Sequence, residues 1–251
     1  MGKPEGSNST GNAVSVLIPL YRAGKYIAEC IESVEKQDLV KEIIVLNDGS
    51  DDDSLEQAQK AAQRFGKAVP VTVLDGPHRG QAPARNRLKE KASGELIFYV
   101  DADDVLCDGA VHTLAEAMED TQADIVCARC RDFISPDLTD EEAKMLEIRG
   151  DPYPRNLAGC TLIRRSAFDR VGDYNEAMTS SETAEWMLRA KSAGLKIINI
   201  DAVTLRRRYH TMNFGRLSRN TQRENYLEII RRQMRLKNGQ QPDLRDQDAN
   251  N

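Results

Sequence analysis

Several things are missing from this sequence, and each absence narrows the reading. No apolar run approaches the ~20 residues that a membrane-spanning helix needs. The first twelve residues are small and polar and lack the apolar centre of a signal peptide, so a cytoplasmic protein is expected. There is no basic excess. Lys and Arg number 35 against 40 Asp and Glu, for a net charge of −5, which argues against a general nucleic-acid binder. A disulfide framework is missing too, because the five cysteines are odd in number and scattered. Cys127 and Cys130 form a CxxC, but no second CxxC or nearby His completes a zinc site, so both read as small buried hydrophobes. Only 3 His are present, and no internal repeat is seen.

What remains is ordinary globular material. The chain has 251 residues, 40 % hydrophobic and 30 % charged, enough for one α/β domain with a substantial core. Apolar runs at 14–18, 43–46 and 96–100 read as buried strands, and 71–74 as a further strand. Between them, 25–37, 54–65 and 83–91 carry helical spacing or helix-start signals. Strand and helix in alternation imply a mostly parallel sheet with helices on both faces. Further on, 110–118 and 182–193 read as helices, and 125–129, 161–163, 197–200 and 203–205 as strands. Residues 135–155 look like a loop with a short helix, and 219–237 like a long basic helix. The expected organisation is a single domain over 13–238 between disordered tails at 1–12 and 239–251. Within it, 13–105 is the nucleotide-binding half, 106–205 the acceptor half, and 206–238 a C-terminal basic segment and helix.

In an open parallel sheet, ligands bind beyond the carboxyl ends of the strands. The chemistry-bearing residues lie there. Asp101, Asp103 and Asp104 end a buried strand, and their mutual repulsion calls for a cation. Mg²⁺ or Mn²⁺ held by carboxylate oxygens commonly bridges to substrate phosphates. The plain alternative is an acidic loop that caps the helix at Ala110. Asn47-Asp48-Gly49-Ser50 ends another strand, where Asp48 is placed to meet a base or ribose or else forms an Asx turn. In 78–86, Arg85 sits in the first turns of a helix, where a guanidinium can clamp anionic oxygen or simply lie in solvent.

The three motifs in this order and strand context, with the opening Val14-Ser15-Val16-Leu17-Ile18-Pro19-Leu20-Tyr21, resemble the family 2 glycosyltransferases of the GT-A, Rossmann-like fold. A weaker match continues through Gly159 to Arg165, Val171 to Tyr174, and Glu182 to Arg189. The resemblance implies an inverting hexosyltransferase that takes a sugar from a nucleotide-diphosphate donor, usually a UDP-sugar. Pro19, Tyr21 and Asp48 would lie at the base, Arg85 at the nucleotide or its phosphates, and Asp101 near ribose and sugar. Asp103, in the DxD-type motif, would bind Mn²⁺ or Mg²⁺.

Two departures stand out. Asn47 replaces one of two side-by-side acids. Thr183 stands where the family has its catalytic aspartate, which leaves Glu182, and next Glu185, as the expected general base. Late basic residues suit an anionic donor: His210 is expected to ligate the metal and Arg208 to clamp phosphate. The basic helix either docks on the domain or rests on an anionic membrane that presents a lipid-linked acceptor. The acceptor itself, whether glycan, lipid carrier, peptide or small metabolite, is not spelled out. Two rival readings are a nucleotidyltransferase, poorly matched by 19–25, and a degenerate transferase that binds sugar nucleotides as a scaffold.

Overall fold

The computed structural model describes residues 13–154 and 158–213. The expected tails at 1–12 and 239–251 and the basic helix at 219–237 lie outside the described residues. The first half alternates as expected: β1 (Val14–Leu20), α1 (Gly24–Glu35), β2 (Val40–Asp48), α2 (Ser54–Phe65), β3 (Val71–Gly76), α3 (Gln81–Lys91) and β4 (Leu96–Tyr99). The second half carries β5 (Val105–Leu106), α4 (Ala110–Thr121), β6 (Ile125–Ile134), α5 (Asp140–Lys144) and β7 (Tyr153–Pro154). It ends with β8 (Thr161–Arg164), α6 (Arg165–Val171), α7 (Glu182–Ser192) and β9 (Ile197–Tyr209).

One sheet holds all the strands, in the order β3-β2-β1-β4-β8-β6-β9-β5, with β7 paired to β6. Ladders between β1, β2, β3 and β4 are parallel, as is that between β6 and β9. β8 runs against both β4 and β6, and the short β5 and β7 also oppose their partners. The mostly parallel sheet is therefore strict in the first half and mixed in the second.

The period of two along buried strands divides the core. Val16, Ile18, Val45 and Phe98 face α1, α2 and α4, where Ile27, Ile31, Ala58 and Leu114 meet them. Leu17, Leu46, Ile97 and Tyr99 face the other way, onto α3, α6 and α7 through Leu88, Phe168, Trp186 and Met187. With both faces covered, the strand ends are left as the place for ligands. Among the described residues no helix is long and apolar enough to cross a membrane.

β9 departs most from expectation. The two short strands at 197–200 and 203–205 are one strand of 13 residues, and it runs on through Arg206, Arg207 and Arg208. The expected start of the C-terminal segment, 206, therefore falls inside this strand. Pairing with β6, itself extended to Ile134, carries the arginines into the sheet and absorbs register shifts around Arg129. Arginine reads as loop in a sequence, but its stem tolerates a pleated surface when the head finds partners.

Candidate active site

At the ends of β1 and β2 the chain turns sharply. Gly49 has φ +66°, and a Cβ there would stand 2.3 Å from the His78 nitrogen, so only glycine fits. Asp48, 6 % exposed, accepts the backbone N–H groups of Arg79 and Gly80 at 2.9 Å each. His78 Nδ1 lies 3.0 Å from the Asp48 carbonyl oxygen and 2.9 Å from its Oδ2. Both oxygens accept, so Nδ1 carries the proton. The His78 ring stacks on Tyr21, with centroids 4.2 Å apart and planes at 22°. Pro19 lies in β1, two residues before the exposed Tyr21. Asp48 thus shapes the pocket wall through the 78–80 loop, and His78, which the motif reading passed over, joins Tyr21 as a second aromatic surface.

A second cluster centres on Arg85, 3 % exposed in α3. Its Nη1 donates to Glu182 Oε1 and, at 2.8 Å, to Thr183 Oγ1; its Nη2 donates to Asp101 Oδ1 at 3.0 Å. Burial works against the guanidinium charge, but Glu182 and Asp101 outweigh it and raise the pKa further. The rings of Tyr99 and Tyr174 flank Arg85 at 5.8 and 6.0 Å. Two buried polar atoms here, Arg85 Nε and Tyr174 Oη, have no hydrogen-bond partner among the described residues. Such orphans are costly and mark a place where a polar ligand would complete the bonding. Glu182 is 3 % exposed, held at the first turn of α7. Glu185 stands apart. Both its oxygens accept from Arg189 Nε, at 2.8 and 3.0 Å, and so the structure does not bring it to the aspartates.

The third cluster closes the acidic loop. Asp103 Oδ2 meets His210 Nε2 at 3.0 Å and accepts from Asn213 Nδ2 at 3.1 Å. Asp104 is buried and accepts the Arg208 backbone N–H at 2.9 Å. Burial first, then repulsion from Asp103 and Asp101, pushes its carboxyl well above the usual range.

Arg208, expected as a phosphate clamp, has a partner on each of its three guanidinium nitrogens. Nε donates to the Asp103 carbonyl at 2.9 Å, Nη1 to Ser135 Oγ at 3.2 Å, and Nη2 to Glu29. Tyr26 and Phe133 lie against it at 4.8 and 4.7 Å. With a side chain only 3 % exposed, it holds the aspartate loop and offers no donor to solvent. Neither Glu29 nor Tyr26 stood out in the sequence, because each is an unremarkable position on α1 whose partner lies far along the chain.

The residues present fit a divalent cation in part. Among the described residues no group of three metal-capable side chains is found, so the protein would supply only Asp103 and His210 to such a cation, a sparse donor set that Mg²⁺ and Mn²⁺ tolerate. His210 Nδ1 accepts the Met212 N–H at 3.3 Å, so in this tautomer Nε2 carries the proton toward Asp103. Ligation through Nε2 requires that proton to move to Nδ1.

Comparison with known proteins adds identity to this geometry. The model of the family described as "Glycosyl transferase family 2" matches residues 15–172. The uncharacterised glycosyltransferase YibD of Escherichia coli is 41 % identical over 125 residues, which cover 49 % of this chain and 34 % of that protein. Glycosyltransferase GlyG of Streptococcus pneumoniae is 36 % identical over 115 residues, 45 % of this chain and 37 % of that one. The chain spans about a third of the length of these curated relatives. Among solved structures, Staphylococcus aureus TarS 1–349 in complex with UDP-GlcNAc superposes with a TM-score of 0.64 at 21 % identity, over 80 % of this chain and 59 % of that one. Mannosyltransferase PcManGT from Pyrobaculum calidifontis, in complex with GDP-Man and Mn²⁺, gives 0.63 at 16 %, over 82 % and 59 %. The chain belongs to glycosyltransferase family 2, and its fold is the GT-A-like fold expected from the sequence.

Proposed function

We propose, from this membership and from the clusters at the strand ends, that the chain transfers a sugar from a nucleotide-diphosphate donor, a UDP-sugar, to an acceptor with inversion. The observation that carries the reading is Arg85, which ties Asp101 at the end of β4 to Glu182 at the start of α7 beside two orphaned polar atoms. The base lies by Pro19, Tyr21 and His78, with Asp48 holding the wall. Asp101 and Arg85 lie nearest ribose and phosphate. Asp103 and His210 hold Mn²⁺ or Mg²⁺, which supplies neutralisation of charge on the diphosphate leaving group.

Glu182 is the general base of this reading. One oxygen is paired with Arg85, and Oε2 accepts no hydrogen bond from the described residues. It would take the acceptor proton through Oε2. Thr183 cannot replace it, since a hydroxyl bonded to the same guanidinium has no basic character. Arg208 serves as a positioning residue rather than a phosphate ligand. The same reading keeps the chain cytoplasmic, with peripheral membrane contact through 219–237, which flotation with anionic vesicles would test.

Calorimetry of UDP binding, with GDP and ADP as controls and with Mn²⁺ present or absent, tests the donor site. Binding selective for UDP that is lost in Asp103→Ala when Mn²⁺ is present is expected. A folded protein that binds no nucleotide would overturn the reading in favour of a degenerate scaffold.

A further inference from the structure

Beside the acidic loop, on the face of β6 and β9 that carries Phe133 and Arg208, two arginines stand without an acid. Arg131 and Arg206 are partners across the parallel pair, so their side chains leave the sheet on the same face. Both are exposed, and among the described residues neither has a carboxylate within ion-pair distance. With Cys107, Asp132, Phe133 and Val203 they line a cavity of about 220 Å³. Phe133 links the cavity to the site: the Arg206 guanidinium lies 4.6 Å from its ring centroid and that of Arg208 4.7 Å.

The pairing is unfavourable as it stands, because like charges side by side on one sheet face repel. Acid is not scarce in the chain, with 40 acidic residues. The other arginines of these two strands are engaged: Arg129 with Asp201, Arg207 with the Tyr209 hydroxyl, Arg208 with Glu29. Asp132 is in the cavity wall, but it is 5 % exposed and accepts from the Tyr153 hydroxyl and the Arg149 N–H. Cys107 reports on the site. Burial raises its thiol most, Arg206 and then Arg131 lower it, and Asp108 raises it slightly, so both guanidiniums reach that sulfur.

We propose that this cleft binds a phosphate group carried by the acceptor. Two guanidinium forks match phosphate oxygens in charge and in planar geometry. The ring of Phe133 fixes one of them, and the cavity has room for a phosphate with a short stem. Arg206 pairs with Val105, two residues after Asp103, and stands four residues before His210, which sets the cleft on the order of 10 Å from the Asp103–His210 pair. That is within reach of an acceptor whose hydroxyl lies at the site and whose phosphate lies here. Only this link to the acceptor rests on the transferase reading; anion binding stands on the cleft itself.

Alkylation of Cys107, followed by peptide mass spectrometry, tests the cleft without any activity assay. Glycerol 3-phosphate at millimolar concentration, but not glycerol, is expected to slow labelling several-fold if the phosphate is soluble. Vesicles with phosphatidic acid, but not phosphatidylcholine alone, do so if it is a lipid headgroup. Arg131→Gln with Arg206→Gln should abolish the protection and the matching calorimetric signal, while unfolding midpoint and UDP affinity stay unchanged. No protection by either phosphate, or equal protection in the double variant, overturns the proposal. Protection of Cys107 in a protein that binds no UDP would keep the anion site and sink the transferase reading instead.

Discussion

Arg85 and Arg208 invite comparison because they look alike and act differently. Each side chain is 3 % exposed, and each is flanked by two aromatic rings. Each also touches the aspartate loop from a different element. Arg85 reaches it through side-chain charge, meeting Asp101 and Glu182, and keeps one nitrogen unsatisfied. Arg208 reaches it through the main chain, with Nε on the Asp103 carbonyl and its own N–H on Asp104, while Nη1 and Nη2 go to Ser135 and Glu29. Each guanidinium makes three hydrogen bonds from its five N–H groups, so burial, residue type and the number of bonds do not separate the two; the partners do. Arg85 meets two carboxylates and is an electrostatic centre, whereas Arg208 meets one carboxylate and a main-chain carbonyl and is a brace.

Removal of the charge at the first centre should have the largest effect. Arg85→Met leaves Glu182 buried without a counter-ion, and a loss of about 3–5 kcal/mol in urea unfolding is expected. The added change Glu182→Gln should recover a good part of it. If the single variant unfolds like the parent, Arg85 is no electrostatic centre and the contrast fails.

At the brace, shape should matter more than charge. Arg208→Lys keeps the cation but loses the fork, and a cost of about 2 kcal/mol is expected from hydrogen bonds to Asp103, Ser135 and Glu29 that a single ammonium cannot all replace. Full stability in the lysine variant would show that charge alone suffices there.

The smallest effect concerns the outer support of the brace. Asp137 accepts from Ser135 and pairs with Lys25. Burial opposes its ionisation, but those bonds outweigh it and hold the carboxyl at about 2, below its ordinary value of 3.8. A depressed acid stabilises the fold above its unfolded pKa and loses that contribution as pH falls through the folded one. Asp137→Asn should therefore lower stability by under ~1 kcal/mol at neutral pH, since the pair is partly exposed, and flatten the fall between about pH 4 and 2. Acid titration followed by circular dichroism checks this, and an unchanged acid limb would detach Asp137 from the brace.

Much of the first half was legible in the sequence. The runs at 14–18, 43–46, 71–74 and 96–100 fall inside or against observed strands; β1, β2 and β4 are apolar because both faces are buried, while β3, at the sheet edge, is only partly covered. Less of the second half could be read. β5 has only 2 residues, and β9 is broken in sequence by Asp201 and three arginines, although the ladder with β6 carries it through. The short helix expected in 135–155 is α5, which starts with a capping box between Thr139 and Glu142.

By itself the sequence determined the family, the alternation that makes the sheet, and the placement of Asp48, Asp101 and Asp103 at strand ends. Those are local properties, written in spacing along a few tens of residues. Only the tertiary structure decided what the distant charges face: that Arg85 holds Glu182 and that Arg208 braces the aspartates. These contacts join residues 97 and 104 or more positions apart, unlike the Glu185–Arg189 pair, which is a four-residue step along α7. Chain periodicity cannot encode such pairs, because they follow from which strand neighbours which in the folded sheet.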